Sequence, residues 1–373
     1  MSVLSAERFV SDLLSQADVR INGDRQGDIA VRDGRLYDRI IRDGSLGLGE
    51  SYMDGWWDAE PLDAFFTKVL GANLDRKLKL TLRVIFRHAA HACLNFQSRA
   101  RAFQIGAHHY DMGNDLYRAM LDRRLTYSCG YWKGARDLDE AQEAKLDMTC
   151  RKIGLSRGQT ILDIGCGWGS FAKFAAERFG ARVVGITVSR KQVALGTESC
   201  EGLPVEIRLQ DYRDVTGQFD HVVSIGMFEH VGHKNYRTFM DVVHRCLKRD
   251  GLFLLHTIGG NESVKATDPW ITKYIFPNSM LPSANQVAAA YEGLFVMEDW
   301  HNFAADYDRT LMAWSDNFDA RWGALRDGYG DRFYRMWKYY LLSCAGAFRA
   351  RKNQLWQLVL SKDGIRGGYV STR

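Results

Sequence analysis

The chain has 373 residues, 46% of them hydrophobic, and a formal net charge of +5. That length exceeds one typical domain, and the apolar content is ample for packed cores, which excludes a disordered or fibrous chain. No apolar run approaches the roughly 18–20 residues needed to cross a bilayer. The opening Met-Ser-Val-Leu-Ser-Ala-Glu-Arg lacks the regions of a signal peptide, and seven scattered cysteines show no C-x-x-C. Reduced thiols and a cytoplasmic location are therefore expected, rather than a disulfide framework or a zinc site.

Residues 44–57 read Gly-Ser-Leu-Gly-Leu-Gly-Glu-Ser-Tyr-Met-Asp-Gly-Trp-Trp. The window 76–110 then contains no Asp or Glu but carries Arg76, Lys77, Lys79, Arg83, Arg87, Arg99 and Arg101. These seven charges exceed the net charge of the whole chain, so the remainder is net acidic. Arg76, Lys79, Arg83 and Arg87 fall at helical spacing beside Leu78, Leu82, Ile85 and Phe86. The pattern reads as a basic amphipathic helix for an anionic membrane surface. A solvated helix face and a nucleic-acid surface are the other readings, the last without any accompanying nucleic-acid motif. A composition change over 95–108 marks a candidate linker, dividing 1–100 from 101–373. His108-His109 with Asp111 lacks the spacing and fourth partner of a metal site.

From residue 160 the pattern changes. Thr160–Asp163 is an apolar run closed by an acid, and Gly165, Gly167 and Gly169 then alternate. This reads as a buried strand entering a tight strand-to-helix turn. Further β-rich runs cover 182–187, 205–211, 219–225 and 251–256. Helical segments lie between them at Phe171–Phe179, Arg190–Cys200 and Lys234–Lys248. Such alternation predicts a parallel sheet with helices on both faces, binding its ligand outside the carboxyl ends of the strands. Those ends carry Asp163, Gly165, Thr187, Asp211, Glu229 and His256.

The glycine spacing selects the ligand class. A dinucleotide turn is G-x-G-x-x-G, with amides aimed at a pyrophosphate. Here it is D-x-G-x-G-x-G, which resembles the first motif of S-adenosylmethionine-dependent methyltransferases. A nicotinamide site and a purely structural turn are the competing readings. Against the nicotinamide site, the second strand ends in Gly185-Ile186-Thr187-Val188-Ser189, without the acid that binds ribose hydroxyls. Thr187 with Gln192 is a neutral substitute, and Asp211 is placed to read an adenine amino group.

Three more stretches carry the chemistry: 109–132, with Tyr-Ser-Cys-Gly-Tyr-Trp at its end; 224–236, Ser-Ile-Gly-Met-Phe-Glu-His-Val-Gly-His-Lys-Asn-Tyr; and 255–283, with Leu-His-Thr-Ile-Gly. Together with the glycine turn they resemble the cyclopropane-fatty-acyl-phospholipid synthases, relatives of the mycolic acid cyclopropane synthases. The segment 44–57 favours the phospholipid branch. The resemblance implies an α/β fold, with a Rossmann-like S-adenosylmethionine-dependent methyltransferase domain preceded by a smaller, mainly helical, lipid-binding domain. It implies addition of a methylene carbon across a cis double bond of an acyl chain in an anionic phospholipid bilayer, by a homodimer at the inner face of the membrane that binds no nucleic acid. A bound bicarbonate ion is the implied base, held by Cys129, Glu229, His256, the backbone at Ile258, and Tyr307. S-adenosylmethionine would meet Tyr127 and Ser128 at its methionine end, Gly165 and Gly167 through backbone, Thr187 and Gln192 at the ribose, and Asp211 with Tyr212 at the adenine.

Other readings accompany these. Cys129 also reads as a packing residue and His256 as a strand cap. His88, His91, His221 and His244 read as surface or packing residues. Trp56-Trp57 and Trp337–Tyr340 read as core or lipid-facing, and Tyr274, Phe303 and Tyr307 as aromatics that face a cationic intermediate. The alternative functions are an acyl-chain methyltransferase giving a branched or methylene product, and a non-catalytic lipid-binding relative.

Overall fold

The computed structural model describes residues 3–74 and 113–373. The basic window, the candidate linker, and His88, His91, His108, His109 and Asp111 lie outside the described residues. The chain forms two compact units. The first combines residues 3–74 with Lys265–Pro277 and Tyr307–Asn353; the second holds residues 113–264 with Asn278–Asp306 and Gln354–Arg373. The first unit thus draws on residues from both sides of the expected division near residue 100. Two later segments join the N-terminal unit because helix Asp331–Arg349 packs on helices Ser45–Met53 and Leu62–Gly71, and helix Pro269–Tyr274 packs on Ser45–Met53.

The N-terminal unit is mainly helical, with one short antiparallel pair, β1 (Ile29–Val31) and β2 (Trp57–Ala59). Its core holds Trp57, Phe65, Trp337, Tyr339 and Tyr340, all buried, so these aromatics are core residues. The glycines of 44–57 act by closeness of approach. A side chain on Gly47 would strike the Arg39 backbone, and one on Gly49 would strike the Trp270 indole. Glu50 then ties the segment down. Its carboxylate accepts from Arg39 at 2.7 Å, Lys273 at 2.5 Å and the Tyr274 hydroxyl at 2.8 Å. Tyr274 is thereby fixed inside this unit.

The second unit is built on seven strands: β3 (Thr160–Ile164), β4 (Arg182–Thr187), β5 (Val205–Leu209), β6 (Phe219–Ile225), β7 (Leu247–Gly260), β8 (Val296–Asn302) and β9 (Asn353–Ser361). Their spatial order is β5-β4-β3-β6-β7-β9-β8. β5, β4, β3, β6 and β7 pair in parallel, and β8 with β9 antiparallel. Helices Ser170–Phe179, Arg190–Ser199 and Tyr236–Cys246 connect the parallel strands. β7 begins four residues before the expected start. A register shift between Phe219 and His221 takes up the extra residues. β5 ends at Leu209, so Asp211 belongs to the turn after it and caps the 3-10 turn Tyr212–Asp214.

The order reverses between β3 and β6, since β4 lies on one side of β3 and β6 on the other. A doubly wound sheet opens its binding crevice at that switch point. Apolar residues fill both faces: Leu162, Ile164, Val222 and Phe253 on one, Ile161, Val223 and Leu254 on the other. Thus the strands are rigid and their carboxyl ends are held in place.

Candidate active site

The glycine turn sits on the end of β3, and its three glycines differ in purpose. All have positive φ: +82° at Gly165, +56° at Gly167 and +83° at Gly169. A Cβ at Gly165 would lie 2.6 Å from the Met227 side chain, whereas one at Gly167 would meet nothing within 4 Å among the described residues. Gly165 is therefore required by packing. Gly167 leaves backbone open toward a space that a ligand can enter. Between them, the Gly165 and Cys166 amides both donate to Ile186 O, at 3.0 and 3.1 Å, which pins the turn to β4.

The end of β4 brings Thr187 and Gln192 together. The Thr187 hydroxyl donates to Gln192 Oε1 at 2.6 Å, and both side chains are buried. Ser189 caps the helix that carries Gln192. Asp211 sits one strand further, and Gln210 N donates to Thr187 O at 2.9 Å. Its carboxylate is engaged by Arg213, with the backbone N–H at 2.9 Å and the guanidinium at 2.8 Å. Tyr212, expected with Asp211 at the adenine, is buried. Its ring packs 5.3 Å from Phe239 in the core, with the Arg213 guanidinium over it. Its buried hydroxyl has no hydrogen-bond partner among the described residues.

Residues 126–129 cross beside this edge. Helix Leu138–Lys152 holds them with side chains the sequence reading did not single out. Gln142 Nε2 donates to Ser128 O at 2.7 Å, and Lys145 Nζ donates to Ser128 Oγ at 2.8 Å. Both are fully buried. Burial lowers the Lys145 ammonium to about 8 and raises Asp163, the acid before the glycine turn, to about 7. Asp163 Oδ2 has no hydrogen-bond partner among the described residues. Tyr127 is half-buried, in a row of rings with Tyr117 (5.2 Å) and Trp168 (4.8 Å from Tyr117). Cys129 is fully buried, with its sulfur 3.1 Å from Gly130 O.

Glu229 and His256 form the second part of the edge. The Ile258 N–H donates to Glu229 Oε1 at 2.6 Å. The Ile258 backbone, expected at the anion, is thus bonded directly to Glu229, another residue of the expected set. Glu229 Oε2 and His256 Nε2 are both buried, and neither has a hydrogen-bond partner among the described residues. Burial raises the Glu229 carboxyl to about 7 and holds the His256 imidazole well below its usual value, with Lys145 and Lys152 adding to the second effect. The Phe303 ring lies 5.7 Å from the His256 ring and 5.5 Å from that of Tyr131. Tyr307 belongs to the N-terminal unit, where it stacks on Phe348 at 4.6 Å. Of the five residues expected around an anion, His256 and Ile258 lie on β7 and Glu229 is bonded to Ile258.

This site fits S-adenosylmethionine: an open glycine backbone, a neutral hydroxyl–amide pair at the second strand, and an acid at the third. It also fits a small anion, through a carboxyl held near neutrality beside a neutral imidazole. Among the described residues, no group of three or more His, Cys, Asp or Glu residues is arranged for a metal.

Sheet order, glycine turn and edge residues together define an S-adenosylmethionine-dependent methyltransferase. Residues 97–358 match the family model described as mycolic acid cyclopropane synthetase, and the chain belongs to that family. It is 53% identical over 361 residues to the cyclopropane-fatty-acyl-phospholipid synthase of Escherichia coli K12, covering 97% of this chain and 94% of that one. Two solved cyclopropane synthases share the fold. The cyclopropane synthase MmaA2 of Mycobacterium tuberculosis superposes with a TM-score of 0.66 at 31% identity, and CmaA1 complexed with SAH and CTAB with 0.65 at 32%. Each superposition covers 70% of this chain and 98% of the other.

Proposed function

We propose that this enzyme transfers a methylene carbon from S-adenosylmethionine to the cis double bond of unsaturated acyl chains in membrane phospholipids, forming cyclopropane fatty acyl chains. The substrate class follows the relative that matches nearly the whole chain. One observation carries the chemistry: Glu229 Oε2 and His256 Nε2 are both buried without a partner among the described residues. Buried polar atoms are rarely left so, and this pair is the chemistry of an anion seat.

S-adenosylmethionine, when bound, would supply an electrophilic methyl, and a bound bicarbonate would supply a base for the proton lost as the ring closes. The protein's part is positional and electrostatic. Gly165 and Gly167 give the cofactor a backbone to lie against. Thr187 and Gln192 offer hydrogen bonds to its ribose, Asp211 and Tyr212 lie at the adenine end, and Tyr127 and Ser128 lie at the methionine end. Glu229, whose carboxyl burial raises well above the usual range, offers an O–H to the anion and so avoids setting two full negative charges side by side. His256 adds an N–H, and Cys129 completes the wall. The Phe303 π-face accommodates positive charge as it develops on the acyl chain.

The acyl chain is drawn from a bilayer to which the protein docks at the surface. No helix among the described residues is long and apolar enough to cross a membrane. The charge-dense window 76–110 supports docking on anionic lipid. The test is incubation with vesicles of cis-unsaturated phospholipid and S-adenosylmethionine, with and without bicarbonate. One carbon gained and one alkene lost per chain, only with bicarbonate, is the expected result.

A further inference from the structure

Helix Leu138–Lys152 carries a buried polar stripe. Gln142, Lys145 and Thr149 have no exposed surface and lie three and four residues apart, hence on one face. Two members clamp Ser128, as described above. The third leads elsewhere. The Thr149 hydroxyl donates to Lys145 O at 2.8 Å, and its oxygen lies 3.2 Å from Gln357 Nε2 on β9. The same Gln357 nitrogen lies 3.3 Å from His256 Nδ1.

The proton directions follow in turn. Thr149 has one hydroxyl proton, and Lys145 O receives it. Its oxygen therefore accepts from Gln357, whose amide NH₂ faces Thr149 while its Oε1 is buried without a hydrogen-bond partner among the described residues. The second N–H of that group reaches His256 Nδ1. In a neutral imidazole the nitrogen that accepts a hydrogen bond carries no proton, and burial keeps this ring neutral. The ring proton is left on Nε2, the atom without a partner among the described residues.

We propose that Gln357 is a positioning residue that fixes His256 as the Nε2–H tautomer, so that the ring presents a donor, not an acceptor, to an anion in the site. The inference rests on the anion-seat reading of Glu229 and His256. It also explains a glutamine in the otherwise apolar run Leu355-Trp356-Gln357-Leu358-Val359-Leu360, where all six side chains are buried. A wrong tautomer would turn a lone pair toward the anion and repel it. The partner of the distal ring nitrogen commonly decides which nitrogen is protonated.

The test uses the full chain labelled with ¹⁵N-histidine and long-range ¹H–¹⁵N correlation spectra, with His256 identified by the signals missing from His256→Asn. The wild type should show the Nε2–H tautomer from about pH 6 to about pH 8. Gln357→Glu should move the proton to Nδ1, where the new carboxylate accepts it. Gln357→Met, similar in volume but without a donor, should show mixed tautomers. Its turnover should fall about tenfold or more, with S-adenosylhomocysteine affinity within about twofold of wild type. A wild-type ring protonated on Nδ1 overturns the proposal whether or not the variants fold. So does a Gln357→Met protein that keeps both the Nε2–H ring and full turnover. Wild-type turnover independent of bicarbonate would defeat the anion reading instead, because the spectrum reports the tautomer with no anion present.

Discussion

The Ile258 N–H holds Glu229 Oε1 at 2.6 Å and leaves Oε2 turned into a buried space with no partner among the described residues. The carboxyl is thus rigid on one side and open for chemistry on the other. Replacing Glu229 with Gln keeps an Oε1 acceptor for Ile258 but removes the ionisable group. Glu229→Gln should bind S-adenosylhomocysteine within about twofold of wild type and lose on the order of a hundredfold or more in turnover, the usual scale for an acid–base group. Calorimetry and a turnover assay on the same preparation check this. Undiminished turnover would remove Glu229 from the site.

The same residue makes a pH prediction. Its carboxyl is raised to about 7 in the folded chain, against an ordinary value of 4.5. Between those values the folded state keeps a proton that the unfolded state has released. Its contribution therefore favours folding at low pH and declines as pH rises through the window. Relative to Glu229→Gln, the wild type should lose up to roughly 3 kcal/mol of stability between about pH 4.5 and pH 7. Urea unfolding of both proteins at each end of that range measures the difference. A constant difference would mean that the carboxyl titrates normally.

The first two glycines of the turn should fail in different ways. Gly165→Ala forces a methyl group into the Met227 side chain at positive φ, and should cost about 2–3 kcal/mol of stability. Gly167→Ala meets nothing among the described residues, so only the backbone strain of about 1–2 kcal/mol applies. Its methyl projects where the cofactor is proposed to lie, and S-adenosylhomocysteine binding should weaken about tenfold or more. Thermal unfolding and calorimetry of the two variants separate stability from binding. Normal binding by Gly167→Ala would move the cofactor away from this turn.

Reversing Arg83 and Arg87 to Glu should weaken binding to anionic vesicles by at least about tenfold, since each basic residue near such a surface contributes about 1 kcal/mol. Cofactor affinity should stay unchanged. Sedimentation with vesicles of mixed anionic and zwitterionic lipid reads the first quantity. Equal binding by both proteins would leave the basic window without a membrane role.

Much of the catalytic unit was legible because each feature was local. Strands β3, β4 and β6 appear in the sequence as apolar runs with the observed bounds or nearly so, and the glycine turn announces itself by spacing. Thr187 and Gln192 were readable as a pair because they lie five residues apart across one capped turn. The residues that hold the site were not. Lys145, Thr149 and Gln357 look like ordinary polar positions until a helix face and a distant strand meet. The apolar run interrupted by Gln357 was the available signal. The division into units was equally hidden. Helix Asp331–Arg349 is placed by contacts with residues more than 250 positions earlier, such as Gly346 against Phe66, and no local pattern encodes that. Nor does the sequence show that the Ile258 amide and the Glu229 carboxylate, 29 positions apart, bond to each other.

The most direct measurement uses S-adenosylmethionine with a fully deuterated methyl group, vesicles of a cis-unsaturated phospholipid, and mass spectrometry of the released acyl chains. Closing a ring with a base removes one hydrogen from the transferred methyl. The predicted product therefore gains one carbon bearing two deuterium atoms and no longer reacts as an alkene. A product that keeps three deuterium atoms, or one that still reacts as an alkene, would mean that methyl transfer ends without ring closure, and would contradict the central claim.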